Sequence, residues 1–452
     1  MARAPVDVSQ IIDDSKISGF QIGIFVLCFF CLAMDGFDVQ SLGYVAPALS
    51  AELNISRVQL GPVLSANAVG LLFGSILFSA LADRIGRRPV LIACTFFFAI
   101  LTFLTARAAS LEEMRWLRVI GGLGMGAIMP NAMALVGEYS PKRHRVTIMM
   151  VTSNGFTVGA ALGGFVAAWM LPIWGWRSVF YFGSAVPILI AVLMLFVLPE
   201  SIQFLTLQGK RAGQIAKSLL RVNPQAPAGP GVNYRMPGEE KLTGLALLHL
   251  FKDGRMLGTL LLWVINFMNL LNLYFLQGWL ATFMVDAKFT QSNAALIASM
   301  VQVGGTVGAL SLGWFVYKRG FVAVLGTCAV VASVNIAMIG QPWMTATSLF
   351  IIVFIAGFCV VGGQAAINAL AATYFPTNLR STGVGSGLGV GRLGAIIGPT
   401  LVSVLVARGW TAPDIFLGAA VAPLILLGAL LTFKKVANSS EISAPKKAAL
   451  AH

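Results

Sequence analysis

Apolar runs, each about long enough to cross a bilayer, recur along the chain between short polar connections. They fall at roughly 20–47, 60–82, 89–106, 112–139, 147–172, 177–198, 256–284, 291–316, 321–339, 345–372, 383–407 and 413–433, which predicts twelve membrane-spanning helices. The first run is interrupted in its middle. Met34-Asp35-Gly36-Phe37-Asp38 sets two carboxylates three residues apart on one helical face. A charged side chain at the bilayer centre costs at least roughly 2.5–3.5 kcal/mol on insertion scales, so an intramembrane acid marks a functional site by default. The competing reading is a structural acid hydrogen-bonded beside a Gly36 kink. It serves for one acid better than for two.

The longest polar stretch, about Ser201 to Arg255, carries Lys210, Arg211, Lys217 and Arg221 and the turn-rich run Pro224 to Gly231. It divides the chain into an N-terminal six-helix bundle (1–200), a cytoplasmic central loop (201–255), a C-terminal six-helix bundle (256–435) and a polar cytoplasmic tail (436–452). The halves look related. Tyr139-x-Pro141-x-x-x-Arg145 recurs as Tyr374-x-Pro376-x-x-x-Arg380, and the same shift places Gly159 on Gly394 and Gly163 on Gly398. A parallel six-helix repeat is the plan of a secondary transporter with its site near the midplane.

Composition agrees: 57% hydrophobic residues, 11% charged residues and a mean hydropathy of +0.84 leave too little polar surface for a soluble globule, so this is an integral, multi-pass membrane protein. The net charge of +14 reports orientation. Most Lys and Arg lie in the termini and the even-numbered connections, whereas the odd-numbered ones hold only Arg57, Arg107, Arg115, Arg177, Lys288 and Arg408. By the positive-inside rule both termini are cytoplasmic, and nothing speaks for a nucleic-acid partner. The segment with Asp7, Asp13, Asp14 and Lys16 precedes the first run without an h-region or cleavage site, so no removable signal peptide is expected. Cys28, Cys31, Cys94, Cys328 and Cys359 all sit in apolar runs and are read as small hydrophobes. With His144, His249 and His452 scattered, no metal site, cofactor or enzyme-like cluster is readable. The glycine runs Gly121 to Gly126 and Gly383 to Gly391 follow no strand, and close helix packing explains them better than phosphate binding.

Ser79-Ala80-Leu81-Ala82-Asp83-Arg84-Ile85-Gly86-Arg87-Arg88 resembles the loop signature of the major facilitator superfamily, with Ser79 where that signature has glycine. Arg118-Val119-Ile120-Gly121-Gly122-Leu123-Gly124-Met125-Gly126 is similar to the superfamily's fourth-helix motif. Asp35-Gly36-Phe37-Asp38 with Gly43-Tyr44-Val45-Ala46-Pro47-Ala48-Leu49 resembles the first-helix hallmark of its aromatic acid:proton symporter family, as do Met129-Pro130-Asn131-Ala132, Leu198-Pro199-Glu200-Ser201, Tyr274 to Leu280 and Gly391 to Ile396. The resemblance implies an all-α protein of twelve helices in two six-helix bundles. It also implies proton-driven uptake of small aromatic carboxylates, such as hydroxybenzoates, across the bacterial inner membrane. For Arg118 it implies a link to proton coupling.

A substrate carboxylate inside the membrane needs cationic or donor partners, and only Arg118 and Arg392 lie within the spans away from their ends. Arg118 and Asp38 lie at similar depths and are expected to pair without substrate, while Arg392 is expected to hold the substrate carboxylate. Asp35, Asp38 and Arg118 are assigned to proton coupling. Tyr44, Asn269, Asn272, Tyr274, Gln277, Gln302, Gln364 and Asn368 join Asp38 and the two arginines as candidate substrate contacts, the bland alternative for each amide being an interhelical hydrogen bond. Asp83, Arg87, Arg88, Glu138, Arg145 and Arg380 sit at cytoplasmic helix ends, where ion pairs and helix dipoles can gate. The protein is expected to act as a monomer in the lipid bilayer. Export of drugs, uptake of a non-aromatic organic acid and a transporter-like sensor remain as alternatives.

Overall fold

The computed structural model describes residues 6–208, 212–227, 232, 234–235, 246–252, 254–376 and 379–439. The tail from 440 onwards and parts of the central loop lie outside the described residues. A short strand β1 (Val6–Asp7) and helix α1 (Val8–Asp14) come first. The first half continues with α2 (Gly19–Glu52), α3 (Arg57–Ile85), α4 (Arg87–Arg107), α5 (Leu111–Met125), α6 (Ile128–Tyr139), α7 (Arg145–Trp174) and α8 (Trp176–Val197). Then come α9 (Ile202–Gln208), α10 (Ala212–Val222), β2 (Tyr234–Arg235) and α11 (Ala246–His249). The second half is α12 (Met256–Asp286), α13 (Gln291–Arg319), α14 (Phe321–Ile339), α15 (Ala346–Tyr374), α16 (Arg380–Ala407), α17 (Ala412–Ala419) and α18 (Val421–Ser439). With α5 running into α6, and α17 into α18, twelve helices among the described residues are long and apolar enough to cross a membrane.

Glycine contacts repeat between the halves. On α2, a Cβ at Gly36 would run into the Phe156 carbonyl of α7, and Gly159 of α7 lies against the Ala33 carbonyl. At the shifted position, Gly394 of α16 lies against the Phe267 carbonyl of α12 and Gly398 against that of Leu271. Likewise α3 and α5 meet at Gly70, Gly74 and Gly122 and at Gly126 just past the end of α5, and α13 and α15 meet at Gly304, Gly308, Gly357 and Gly362. Glycine permits such approaches because nothing projects from the backbone. Packing therefore explains most of both glycine runs, although Gly385 and Gly389 meet nothing within 4 Å. Gly36 is thus a contact point between helices, flanked on either side by Asp35 and Asp38.

The described chain forms two compact units that do not follow the sequence halves. One comprises 1–41, 66–163 and 174–239; the other comprises 42–65, 164–173 and 240–452. In the first, the central stretch expected to be a polar connection carries an amphipathic helix. Ile215, Leu219 and Val222 of α10 are buried, as are Val8 and Ile12 of α1, while β1 pairs in parallel with β2. Asp7 caps α1 by accepting from Ser9 N at 2.8 Å. Arg221 lies over the Phe20 ring, and Asp13 accepts from Lys142 N at 2.6 Å, so this assembly is fixed to the helix ends of its own unit. In the second unit, the start of α3 is bonded to α12 and α16. Arg57 pairs with Asp286 at 2.5 Å, Gly61 N donates to Ser403 Oγ at 2.9 Å, and the Ser65 and Thr400 hydroxyls lie 3.0 Å apart.

Candidate functional site

The first unit contains a buried ion pair built from residues of four helices, α2, α4, α5 and α8. Asp38 is 1% exposed and Arg118 3% exposed. Arg118 Nη1 donates to both Asp38 oxygens, at 3.1 and 2.9 Å, and Nη2 donates to the Asp38 main-chain carbonyl at 2.8 Å. Thr102 of α4 donates a further hydrogen bond to Asp38 Oδ1 at 2.7 Å. The Phe180 ring of α8 lies 5.7 Å from the guanidinium carbon, a cation–π contact that offsets part of its desolvation. Removing one partner of such a pair costs about 3–5 kcal/mol, because the other charge is left uncompensated. Asp35, 3% exposed, lies on the same helix one turn from Cys31, whose Sγ is 3.5 Å from Thr95 Oγ1.

In the second unit, four amides form one chain between α12 and α15. Gln364 Nε2 donates to Asn266 Oδ1 and to Asn368 Oδ1, each at 3.0 Å, while Asn269 Nδ2 donates to Gln364 Oε1 at 2.8 Å and to the Val360 carbonyl at 3.0 Å. Asn272 and Asn269 border a small cavity of about 20 Å³ with Cys328 and Cys359. Gln302 lies apart from this chain: it is fully buried, and neither amide atom has a hydrogen-bond partner among the described residues. Tyr44 and Gln277 are buried, and Tyr274 and Arg392 are half-buried. Gln364 as a hub, and Asn266 as its partner in place of Asn272, were not distinguishable in the sequence, since every amide sits in an equally apolar helix.

The expected gating residues separate into a bonded set and two exposed positions. Arg87 pairs with Glu138, which also accepts from Ser201 Oγ at 2.7 Å. Arg88 donates to the Leu195 carbonyl at 2.6 Å, and Arg145 reaches the Ser140 carbonyl at 3.3 Å. Asp83 and Arg380 are exposed, and neither has an ion-pair partner within 4.0 Å among the described residues. Glu200 carries more of the structure than the sequence suggested. Its Oε1 accepts from Arg87 N at 2.9 Å and Arg88 N at 3.1 Å, at the start of α4, where free N–H groups and the helix dipole favour an anion. Tyr139 Oη donates to the Glu200 carbonyl at 2.8 Å. The place of Glu200 in Pro199-Glu200-Ser201, just past the last span of the half, was the available signal.

The sequence model of the Major Facilitator Superfamily matches residues 28–386 and 262–451. A gallate transporter of Pseudomonas putida is 36% identical over 420 residues, 91% of this chain and 92% of that one. The 4-hydroxybenzoate transporter PcaK of Pseudomonas putida is 37% identical over 406 residues, 90% of each chain. The crystal structure of a D-xylose-proton symporter superposes with a TM-score of 0.72 at 17% identity, covering 92% of this chain and 98% of that one, which concerns the fold alone. This chain belongs to the Major Facilitator Superfamily: it is a multi-pass membrane transporter and not an enzyme. Within the superfamily it belongs with the aromatic acid transporters.

Proposed function

We propose that this protein carries small aromatic carboxylates into the bacterial cell across the inner membrane, each with one or more protons, by alternating access. The observation that carries the reading is the buried Asp38–Arg118 pair between two membrane-spanning helices, α2 and α5. A carboxylate there exchanges its ion pair for a proton, and protonation releases the guanidinium. Asp35, one turn away on the same face, is the second proton carrier. Relatives named for gallate and 4-hydroxybenzoate support the substrate class. Arg392 holds the substrate carboxylate, and the Asn266–Gln364–Asn368 chain offers donors and acceptors to ring hydroxyls. The protein works as a monomer with both termini in the cytoplasm.

Uptake of radiolabelled benzoates and aliphatic acids into proteoliposomes, driven by an inward proton gradient, tests the reading. Hydroxybenzoates are expected to accumulate and aliphatic acids not to. Asp35→Asn and Asp38→Asn are each expected to lose accumulation against a gradient, since an amide carries no titratable proton. Uphill uptake at wild-type level in both variants would remove the two acids from proton coupling. Transport of aliphatic acids or hydrophobic cations in place of benzoates would favour the organic-acid or drug-exporter alternative.

A further inference from the structure

Helix α4 carries three buried threonines, Thr95, Thr102 and Thr105. A threonine inside a helix ordinarily turns its hydroxyl back to the carbonyl four residues earlier. Thr95 and Thr105 do so, donating to Leu91 O at 2.7 Å and Leu101 O at 2.8 Å. Thr102 does not. It crosses to α2 and donates to Asp38 Oδ1 at 2.7 Å, the shortest side-chain contact that carboxylate makes.

We infer that Thr102 is a positioning residue that holds the Asp38 carboxylate toward Arg118 and so governs how that pair exchanges with a proton. This rests on the proton-coupled reading above. An O–H···O⁻ bond of this length is among the stronger hydrogen bonds a side chain makes. The hydroxyl also rotates, so it accepts from Asp38 once that group is protonated and Arg118 is released, which keeps the acid in place in both states. The groups around Asp38 leave this task to Thr102. Within ion-pair distance Asp38 has only Arg118 of α5 among the described residues, and Asp35 shares its own helix. Helix α8 contributes the Phe180 ring beneath Arg118, and α7 contributes the backbone of Phe156 beside Gly36. The basic groups of α4 and α8 nearest in sequence, Arg107 and Arg177, lie over the rings of Phe103 and Trp176.

The test is the dependence of proton-driven uptake on external pH in proteoliposomes, each variant normalised to its own maximum so that lower expression does not move the midpoint. Thr102→Val removes the hydroxyl at nearly constant shape. With the donor gone the carboxylate is held from the Arg118 side alone, so the pH midpoint of uptake is expected to move away from the wild-type value. Thr102→Ala is expected to move the midpoint the same way, and Thr102→Ser to leave it at the wild-type value. Midpoints unmoved in both Thr102→Val and Thr102→Ala overturn the assignment, as does a Thr102→Ser midpoint displaced as far as theirs. Asp38→Asn, measured alongside, separates the two ideas. If it still accumulates substrate uphill, Asp38 is not a proton carrier and the premise for Thr102 fails; if it does not, an unmoved midpoint removes Thr102 alone.

Discussion

Arg118 and Arg392 are both cations inside spans, yet their surroundings differ. Arg118 is closed off at 3% exposure and committed to Asp38 by three hydrogen bonds, so its charge becomes available only when Asp38 is neutralised. Arg392 is half-buried on α16, one position after Gly391, which lies against the Asn266 backbone at the edge of the amide chain. On the proposed reading, a guanidinium there would grip the substrate carboxylate through two parallel N–H donors, a geometry lysine cannot reproduce although it keeps the charge. Arg392→Lys is therefore expected to weaken substrate binding by tens-fold, on the order of 2 kcal/mol, in a calorimetric or tryptophan-fluorescence titration of purified protein. Equal affinities for wild type and variant would take Arg392 out of the binding site. Asp38→Asn tests coupling better than Asp38→Ala, because an amide oxygen still accepts from Arg118 and the guanidinium is not left bare in a buried site.

At the scale of the helix, Glu200 is bonded to the start of α4, and Gly86 makes room for it. Gly86 has φ of +108°, a conformation other residues avoid, and a Cβ there would run into the Glu200 carboxylate. Glu200→Ala is expected to cost about 1–2 kcal/mol through the lost cap and dipole interaction, read as a lower thermal transition of the detergent-purified protein. Gly86→Ala is expected to cost at least about 1 kcal/mol. The double variant should lose less than the two singles combined, because the collision disappears with the carboxylate; strict additivity would mean that Gly86 serves backbone conformation alone. Much of this scale was legible in the sequence. The apolar runs located the spans, since hydrocarbon length dictates about 20 residues, and Gly159 and Gly394 could be matched because backbone approach tolerates no side chain at either. The depths of Asp38 and Arg118 followed from rise per residue alone. Thr102 was invisible because its direction depends on a rotamer, and Thr95 and Thr105 look the same in sequence but bond locally. The α1–α10 assembly was missed because the apolar positions of α10 lie inside an otherwise polar stretch.

For the molecule as a whole, alternating access requires helix ends that bond in one state and part in the other. The second unit contains a junction of bonded helix ends that could serve in this way. The start of α3, at the opposite end of that helix from the Ser79–Arg88 motif, is held to α12 by Arg57–Asp286 and to α16 through Gly61, Ser65, Thr400 and Ser403. The exposed ion pair contributes at most about 1 kcal/mol, so close backbone approach carries most of the junction. Ser403 Oγ, 2.9 Å from Gly61 N, also donates to the Arg57 carbonyl at 3.3 Å. A Cβ at Gly61 would strike Ser403 and come within 2.6 Å of the Pro399 carbonyl, which itself accepts from Trp279 Nε1 at 3.0 Å and so has no room to move aside. If the transport cycle passes through this junction, Gly61→Ala raises the barrier to closing it. A penalty of about 1.4 kcal/mol slows turnover about tenfold. Adding Ser403→Gly removes one of the two collisions and is expected to restore part of the rate, while the Pro399 carbonyl keeps it below wild type. Initial rates of proton-driven benzoate uptake in proteoliposomes, set against equilibrium binding of the same substrate, check this: the rate should fall in Gly61→Ala with affinity held, and a wild-type rate would show that turnover does not depend on this approach.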